Sequence, residues 1–286
     1  MSKLKDNRTY SLIAVVLVYV IAITVGVLTC IYLPFSLWLN ILLADIIATV
    51  VTYVFSLIFN NASVYDAYWS VQPIVIVVGL CFTFDLTPTR ILPLIVICLW
   101  GIRLTANWVY TFHSFNYQDW RYVMLKEKTG VYYPVVNLLG IHMFPTLVVY
   151  SCMLPVIFTF SIDFNLNIFS VVFFIVSVIA TVLQGIADFQ MHKYRKNRKT
   201  CFISIGLWKY SRHPNYLGEI LMWWGIGLAF VCAFPSMWYL LFGAVLNNLM
   251  FLFVSVPMAD KRQSKKEGFN EYKKQTRMLI PIKRFN

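Results

Sequence analysis

The chain has 286 residues, of which 59% are hydrophobic and only 13% charged, and 24 Lys and Arg against 12 Asp and Glu give a formal charge of +12. A soluble domain keeps about a quarter of its residues charged, and at half that level it exposes large apolar patches to water. Soluble, disordered, fibrous and disulfide-scaffold classes do not fit, and the chain reads as an all-α, polytopic membrane bundle.

The first apolar run follows directly on MSKLKDNRTY and is too long for a signal-peptide core, so it is expected to remain as a first span. Runs long enough to cross a bilayer of about 30 Å lie near 10–33, 36–59, 135–160, 167–188 and 236–256, and shorter or less clean ones near 69–84, 89–109 and 216–233 bring the expected total to about eight. Alternation of the β-barrel kind is absent, so the spanning backbone must satisfy itself as helices. With eight spans and both termini in the cytoplasm, the cytoplasmic segments are 1–9, 60–68, 110–134, 189–215 and 257–286, and these hold almost every Lys and Arg. The net charge therefore reads first as membrane orientation and second as affinity for phosphate-bearing ligands; nucleic acid is not expected. Five of the six cysteines lie in apolar runs and no Cys/His cluster occurs, so neither a disulfide framework nor a metal site is expected. The ending KRFN is a loose retrieval signal for the endoplasmic reticulum of a eukaryote; otherwise the plasma membrane is expected.

Under this topology the unusual polar sequence gathers at the cytoplasmic ends of spans, while the other face offers little besides Asp85, Arg90 and Asp163. Polar groups at membrane depth are expensive and mark function, so a polar cavity open to the cytoplasm is expected. In NNASVYDAYWS (60–70), Asp66 stands close to Tyr68, and a phenol held by a carboxylate can donate a proton or polarise a carbonyl. The alternative is an interfacial aromatic belt. Arg103 and Asn107 are one helical turn apart, and an Arg there can snorkel to the interface. Asp45, deep in the second span, receives no role, and His142 reads as a structural group.

The segment SRHPNYLGEILMWWG (211–225) carries more information. Pro214 suits the first turn of a helix, after which Asn215, Tyr216 and Glu219 share a face, with Arg212 adjoining across the entry turn. Such groups grip phosphate, ribose and carboxamide together; equally, they suit a helix-entry turn anchored at headgroup level. The basic run HKYRKNRK (192–199) is either a positive-inside loop or a clamp for a dinucleotide phosphate, and Asp188 at the end of the sixth span faces its cations. There is no GxGxxG after a strand, no P-loop, no HExxH and no GxSxG.

GLWKYSRHPNYLGEILMWWG, preceded by ADFQMHKYRKN and YDAYWSVQP, resembles the steroid 5-alpha-reductase superfamily, more narrowly its multi-pass branch of steroid 5-alpha-reductase family enzymes. The likeness covers a core of about 60–286, with 1–59 as a two-span extension of one membrane domain. The resemblance implies a membrane oxidoreductase of lipid metabolism that binds NADPH in a cytoplasm-facing cavity and passes hydride to a C=C bond of a sterol or lipid-like enone entering from the bilayer. It implies cofactor contacts from Arg212, His213, Asn215, Tyr216 and Glu219, with Asp188, Lys193 and Asn197 along phosphate or ribose. Asp260 and Arg262 match a C-terminal Asp/Arg element of the pocket, and Tyr272 and Pro281 its closing tail. The Gln–Glu pair that engages the steroid carbonyl in those enzymes is missing, and Tyr68 with Asp66 is the expected catalytic substitute. Two other readings compete. Isoprenylcysteine carboxyl methyltransferases share an RHPxY segment and use S-adenosylmethionine, and a non-catalytic lipid-binding protein could keep the same fold.

Overall fold

The computed structural model describes residues 5–162, 165–197 and 200–281; Asp163, the last two residues of the basic run and the KRFN ending lie outside them. Asn7 begins the fold by accepting the amides of Thr9 and Tyr10, capping α1 (Arg8–Tyr32). α2 (Leu37–Phe59) stops at Asn60, whose φ of 51° lies in the left-handed region that Asn tolerates better than most residues. Its amide returns to the carbonyls of Ser56 and Leu57, and the reversal opens directly into a 3₁₀ turn, Ala62–Tyr65, capped by Asn61. α3 (Tyr68–Thr83) and α4 (Pro88–Thr111) follow. Asp119 then caps α5 (Trp120–Thr129), which runs through α6 (Tyr133–Val136) and a π-helical turn (Asn137–Met143) into α7 (Phe144–Ser161). Past Ile162 come α8 (Ile168–Lys196), α9 (Pro214–Ala233) and α10 (Phe242–Met250). A second π-helical turn (Phe251–Ser255) leads to α11 (Val256–Gln263), and α12 (Phe269–Gln275) ends the helical sequence.

Among the described residues, eight helical stretches are long and apolar enough to cross a membrane. Their outward faces are apolar as well: α1 exposes Ile13, Val16, Leu17, Val20 and Ile21. Such a face is stable only where hydrocarbon is the solvent, so the protein is a polytopic helical membrane bundle. Helix extends further than the apolar runs do. Residues 120–129, within the segment 110–134 between two apolar runs, are helical, and α8 carries the basic run as far as Lys196. Lys, Arg and Glu are good helix formers, and backbone hydrogen bonds do not stop where hydrophobicity does.

The chain forms two compact units, 1–162 and 163–286. In the first, α1 packs on α2, and Tyr19, Tyr65 and Tyr68 sit with Val15, Val18 and Ala22 in one core, where Tyr19 and Tyr68 meet edge to face at 5.9 Å. Arg8 fastens the entry of α1 to the end of α4 by donating to Val109 O (2.7 Å) and Phe112 O (3.0 Å). In the second unit α8 and α9 form the main contact. A Cβ on Gly218 would stand 2.4 Å from Gln184 Cγ and 2.7 Å from Ala180 O, and one on Gly225 would stand 2.2 Å from Ser177 Oγ. Small residues at such crossings let backbones approach closely, and Ser177 uses the closeness to donate to Met222 O at 3.0 Å.

Candidate functional site

In the second unit the site is built where α9 begins. Gly206, at φ +60°, turns the chain into a 3₁₀ segment (Gly206–Lys209), and any side chain there would meet Gln190 at 2.5 Å. Gln190 in turn accepts the Leu207 amide (2.9 Å), and the Trp208 indole donates to Ala187 O (3.1 Å). These bonds hold the connection against the end of α8. Residues 211–213 are then non-helical, with Ser211 in a parallel bridge to Arg277, because Pro214 at the first helical position disfavours helix in the residue before it. Their amides need partners outside the helix, and the C-terminal tail provides them: Arg212 N donates to Arg277 O (3.0 Å) and His213 N to Met278 O (3.2 Å). The Tyr272 hydroxyl donates to Trp208 O. Burial pushes that phenol's pKa well up; Arg212 opposes the shift and Asp260 adds to it.

This tail encloses a charged cluster. Asp260, on α11, accepts Arg212 through Nη2 to Oδ2 (2.9 Å) and Nε to Oδ1 (3.3 Å). It also meets His213 Nε2 at 3.0 Å and Lys273 Nζ at 3.5 Å. Arg212 Nη1 donates to Thr276 O (2.5 Å) and Lys273 O (3.3 Å), so the guanidinium joins α11 and the tail at once. Arg212, His213 and Asp260 are all buried. The His213 ring lies flat on Tyr216, with centroids 5.1 Å apart and planes 6° apart, and Tyr216 leans on Phe251. Glu219 is buried one turn further and accepts the Trp223 indole at 2.9 Å. Asn215 keeps a buried amide oxygen that no donor among the described residues reaches. Beside the cluster opens a cavity of about 570 Å³ lined by Arg212, Asn270, Lys273 and Lys274.

The residues expected to form a pocket are thus partly brought together. Arg212, His213 and Asp260 make one cluster, with Tyr216 against it. Asp188 is half-buried near the end of α8 and acts electrostatically on His192. Lys193, Asn197 and Arg262 are exposed, and Asn197 closes α8 with its amide on Lys193 O (3.2 Å). Sequence reasoning missed Asn270, Lys273, Lys274 and Thr276. The adjacent Lys273–Lys274 pair was the available signal, but nothing in the sequence says that the tail folds back onto residues 211–213.

In the first unit the expected pairing of Tyr68 with Asp66 is corrected. Tyr68 donates to Asp45 Oδ1 at 3.0 Å, whereas Asp66 accepts the Tyr122 hydroxyl at 2.5 Å. Residues two apart at a helix start point to different sides, so Tyr68 faces α2 and Asp66 faces α5. Asp45, left without a role by sequence, is the carboxyl that holds the phenol. Tyr65 shares a hydroxyl contact with Thr146 (2.8 Å) and lies against His142 (ring centroids 4.7 Å). Arg103 and Asn107 are half-buried on α4.

Comparison with curated proteins and with solved structures returns no match. A family model described as "Protein of unknown function (DUF1295)" matches residues 52–276. The match opens within α2 and closes at Thr276, so it takes in Tyr68, Arg212, His213, Asp260 and Lys273. This chain belongs to the DUF1295 family.

Proposed function

We propose that the protein is a membrane-embedded reductase that uses NADPH to reduce an activated C=C bond in a sterol or lipid-like enone. The observation that carries this reading is the joining of Arg212, His213 and Asp260 at the mouth of α9, beside a cavity rimmed by Lys273 and Lys274. The donor set fits a phosphate-rich dinucleotide. Two ammonium groups, the Arg212 side chain and the Asn270 amide line the cavity. NADPH, when bound, supplies a hydride. Lys273 and Lys274 bind anionic oxygen. Arg212, committed to Asp260 and the tail carbonyls, shapes the cavity wall, and the flat His213–Tyr216 pair stiffens the entry of α9. Tyr68, held by Asp45, is the proton donor toward the carbonyl of an enone, where developing negative charge needs stabilising.

The test is a thermal-shift titration of detergent-purified protein with NADPH, NADH and S-adenosylmethionine, since a ligand of the folded state raises its melting temperature by mass action. A rise with NADPH that Lys273→Ala and Lys274→Ala diminish is expected, followed by NADPH consumption on enone lipids. A rise with S-adenosylmethionine alone overturns the reductase in favour of a methyltransferase. No response to any of the three, from folded protein, removes the cofactor assignment and favours a non-catalytic lipid binder.

A further inference from the structure

A file of hydroxyl groups runs through the first unit and ends on a buried acid. Asp45 lies about 12 Å along α2 from its first residue, is 4% exposed, and receives Tyr68 O–H on Oδ1 at 3.0 Å. Thr49 stands one turn along α2 from Asp45, on the same face of the helix. Thr49 Oγ1 lies 3.0 Å from Thr146 Oγ1 on α7, and Thr146 Oγ1 lies 2.8 Å from the Tyr65 hydroxyl. Every member is buried. Beyond Tyr65 sits the His142 ring, on the π-helical turn, with Nδ1 3.0 Å from Asn137 O. A carbonyl only accepts, so Nδ1 carries the proton and Nε2 presents a lone pair.

Three buried atoms along this α2–α7 seam have no partner among the described residues: Asp45 Oδ2, His142 Nε2 and Asn137 Oδ1. All three are acceptors, and each costs about 1–3 kcal/mol when left bare. A simple staple between helices accounts for Thr49 on Thr146. It does not account for a carboxyl with one hydrogen-bond donor and no cation among the described residues, at a depth where a charge is expensive. Nor does it account for bare acceptors at both ends. What such a file lacks at each end is a proton or a water. Each hydroxyl can donate once and accept twice, so the file has two hydrogen-bond directions, and passing between them moves a proton with no displacement of heavy atoms.

We propose that unit 1 conducts protons, and that Tyr65, Thr146, Thr49 and Tyr68 hand a proton to and from Asp45. In the uptake direction a proton arrives on the Tyr65 oxygen from the side of His142. Tyr65 passes its own proton to Thr146, Thr146 to Thr49, Thr49 to Tyr68, and Tyr68 to Asp45. At each link one O–H bond breaks and one forms, no electrons change hands, and the net result is one proton stored on the Asp45 carboxyl. Reduction of a C=C bond consumes one hydride and one proton, so the file is the proton supply of the reductase; that use rests on the reading above, whereas conduction itself does not.

Infrared spectroscopy of the full chain in nanodiscs tests it without cofactor or substrate. A carboxylic acid C=O stretch that is absent in Asp45→Asn is expected, and it should shift on transfer to D₂O. Thr146→Val and Thr49→Val, which remove a hydroxyl at nearly constant shape, should each slow that shift tenfold or more, while Thr146→Ser restores the wild-type rate. Amide exchange read from the same spectra should be unchanged, which separates a broken file from a loosened fold. Should Thr146→Val fail to fold, Thr49→Val and Tyr65→Phe break the file at other links. Absence of an Asp45 acid band, or wild-type exchange in the Thr→Val variants, overturns conduction. A protein that exchanges as expected but does not respond to NADPH keeps the file and loses the reductase; the opposite pair of results does the reverse.

Discussion

Asp260→Asn is the most direct test of how the second unit is built. The substitution keeps the shape of the side chain but removes the charge that Arg212 approaches at 2.9 Å, His213 at 3.0 Å and Lys273 at 3.5 Å. It also puts an amide N–H₂ opposite donors that need an acceptor. Breaking a buried pair from one side leaves the other charge uncompensated and costs about 3–5 kcal/mol. Here the cost falls on one local event, because Arg212 is also the side chain that ties the tail through Thr276 O and Lys273 O. Opening of 269–278 should become easier by about that amount, and every 1.4 kcal/mol is about tenfold in an equilibrium. Cleavage in native conditions follows the population of the open form when closing is fast. Trypsin, with Lys273, Lys274 and Arg277 as its sites, should therefore cut the tail of Asp260→Asn about 10² to 4 × 10³ times faster than that of the wild type. The double variant Arg212→Met with Asp260→Leu should leave the tail as open as Asp260→Asn does, since it also removes the guanidinium that holds Thr276 O and Lys273 O. Wild-type cleavage rates in Asp260→Asn would refute the claim that the cluster holds the tail.

Gly218→Ala, whose Cβ would press on Gln184 Cγ and Ala180 O, should lose about 1–3 kcal/mol of stability, while Gly79→Ala, with nothing within 4 Å, should be neutral or gain up to about 1 kcal/mol; melting temperatures of the two decide it, and equal losses would refute the close α8–α9 approach. In a double-mutant cycle Tyr68→Phe and Asp45→Asn should couple by about 0.5–3 kcal/mol, and Tyr68→Phe with Asp66→Asn should add within about 0.5 kcal/mol; the reverse pattern restores the Tyr68–Asp66 pairing. Tyr272 has a raised folded pKa, so its folded state favours the protonated phenol. Its contribution is full below the unfolded value of about 10 and is lost as pH rises from there toward the folded value. Tail protection in the wild type should decline in that window and should change less in Tyr272→Phe.

The spans were legible because hydrophobicity over about 20 residues is a strong one-dimensional signal, and no tertiary contact can hide it. The mouth of α9 was legible for a different reason. Pro214 fixes where the helix begins, and the spacing of Asn215, Tyr216 and Glu219 follows from helical geometry alone. What could not be read was which carboxyl each polar group would meet. Tyr68 has Asp66 two residues away and Asp45 twenty-three away, and sequence proximity favours the wrong partner because the helix start turns the two side chains apart. His142 looked like a lone structural histidine, since the π-helical turn that carries it, and the bare Nε2 it leaves, have no pattern in sequence.

The tail shows how a membrane protein can place a charged site without lining a helix with charge. Arg212 and Asp260 sit at the ends of different helices, 48 residues apart, and neither needs to be carried through hydrocarbon to reach the other. The non-helical stretch before Pro214 leaves amides that α9 cannot satisfy, and Arg277 and Met278 satisfy them with carbonyls. Once that backbone pairing forms, Lys273 and Thr276 arrive beside Arg212 without further instruction. The family match ends at Thr276, so it contains every side chain of the cluster, while the two carbonyls beyond it contribute only backbone and make no demand on residue type. In the first unit the boundary falls the other way: Tyr65, Tyr68, His142 and Thr146 lie inside the match, and Asp45 and Thr49 precede it. The charged cluster can therefore be carried by the matched segment alone, whereas the hydroxyl file is complete only with the helix turns that come before residue 52.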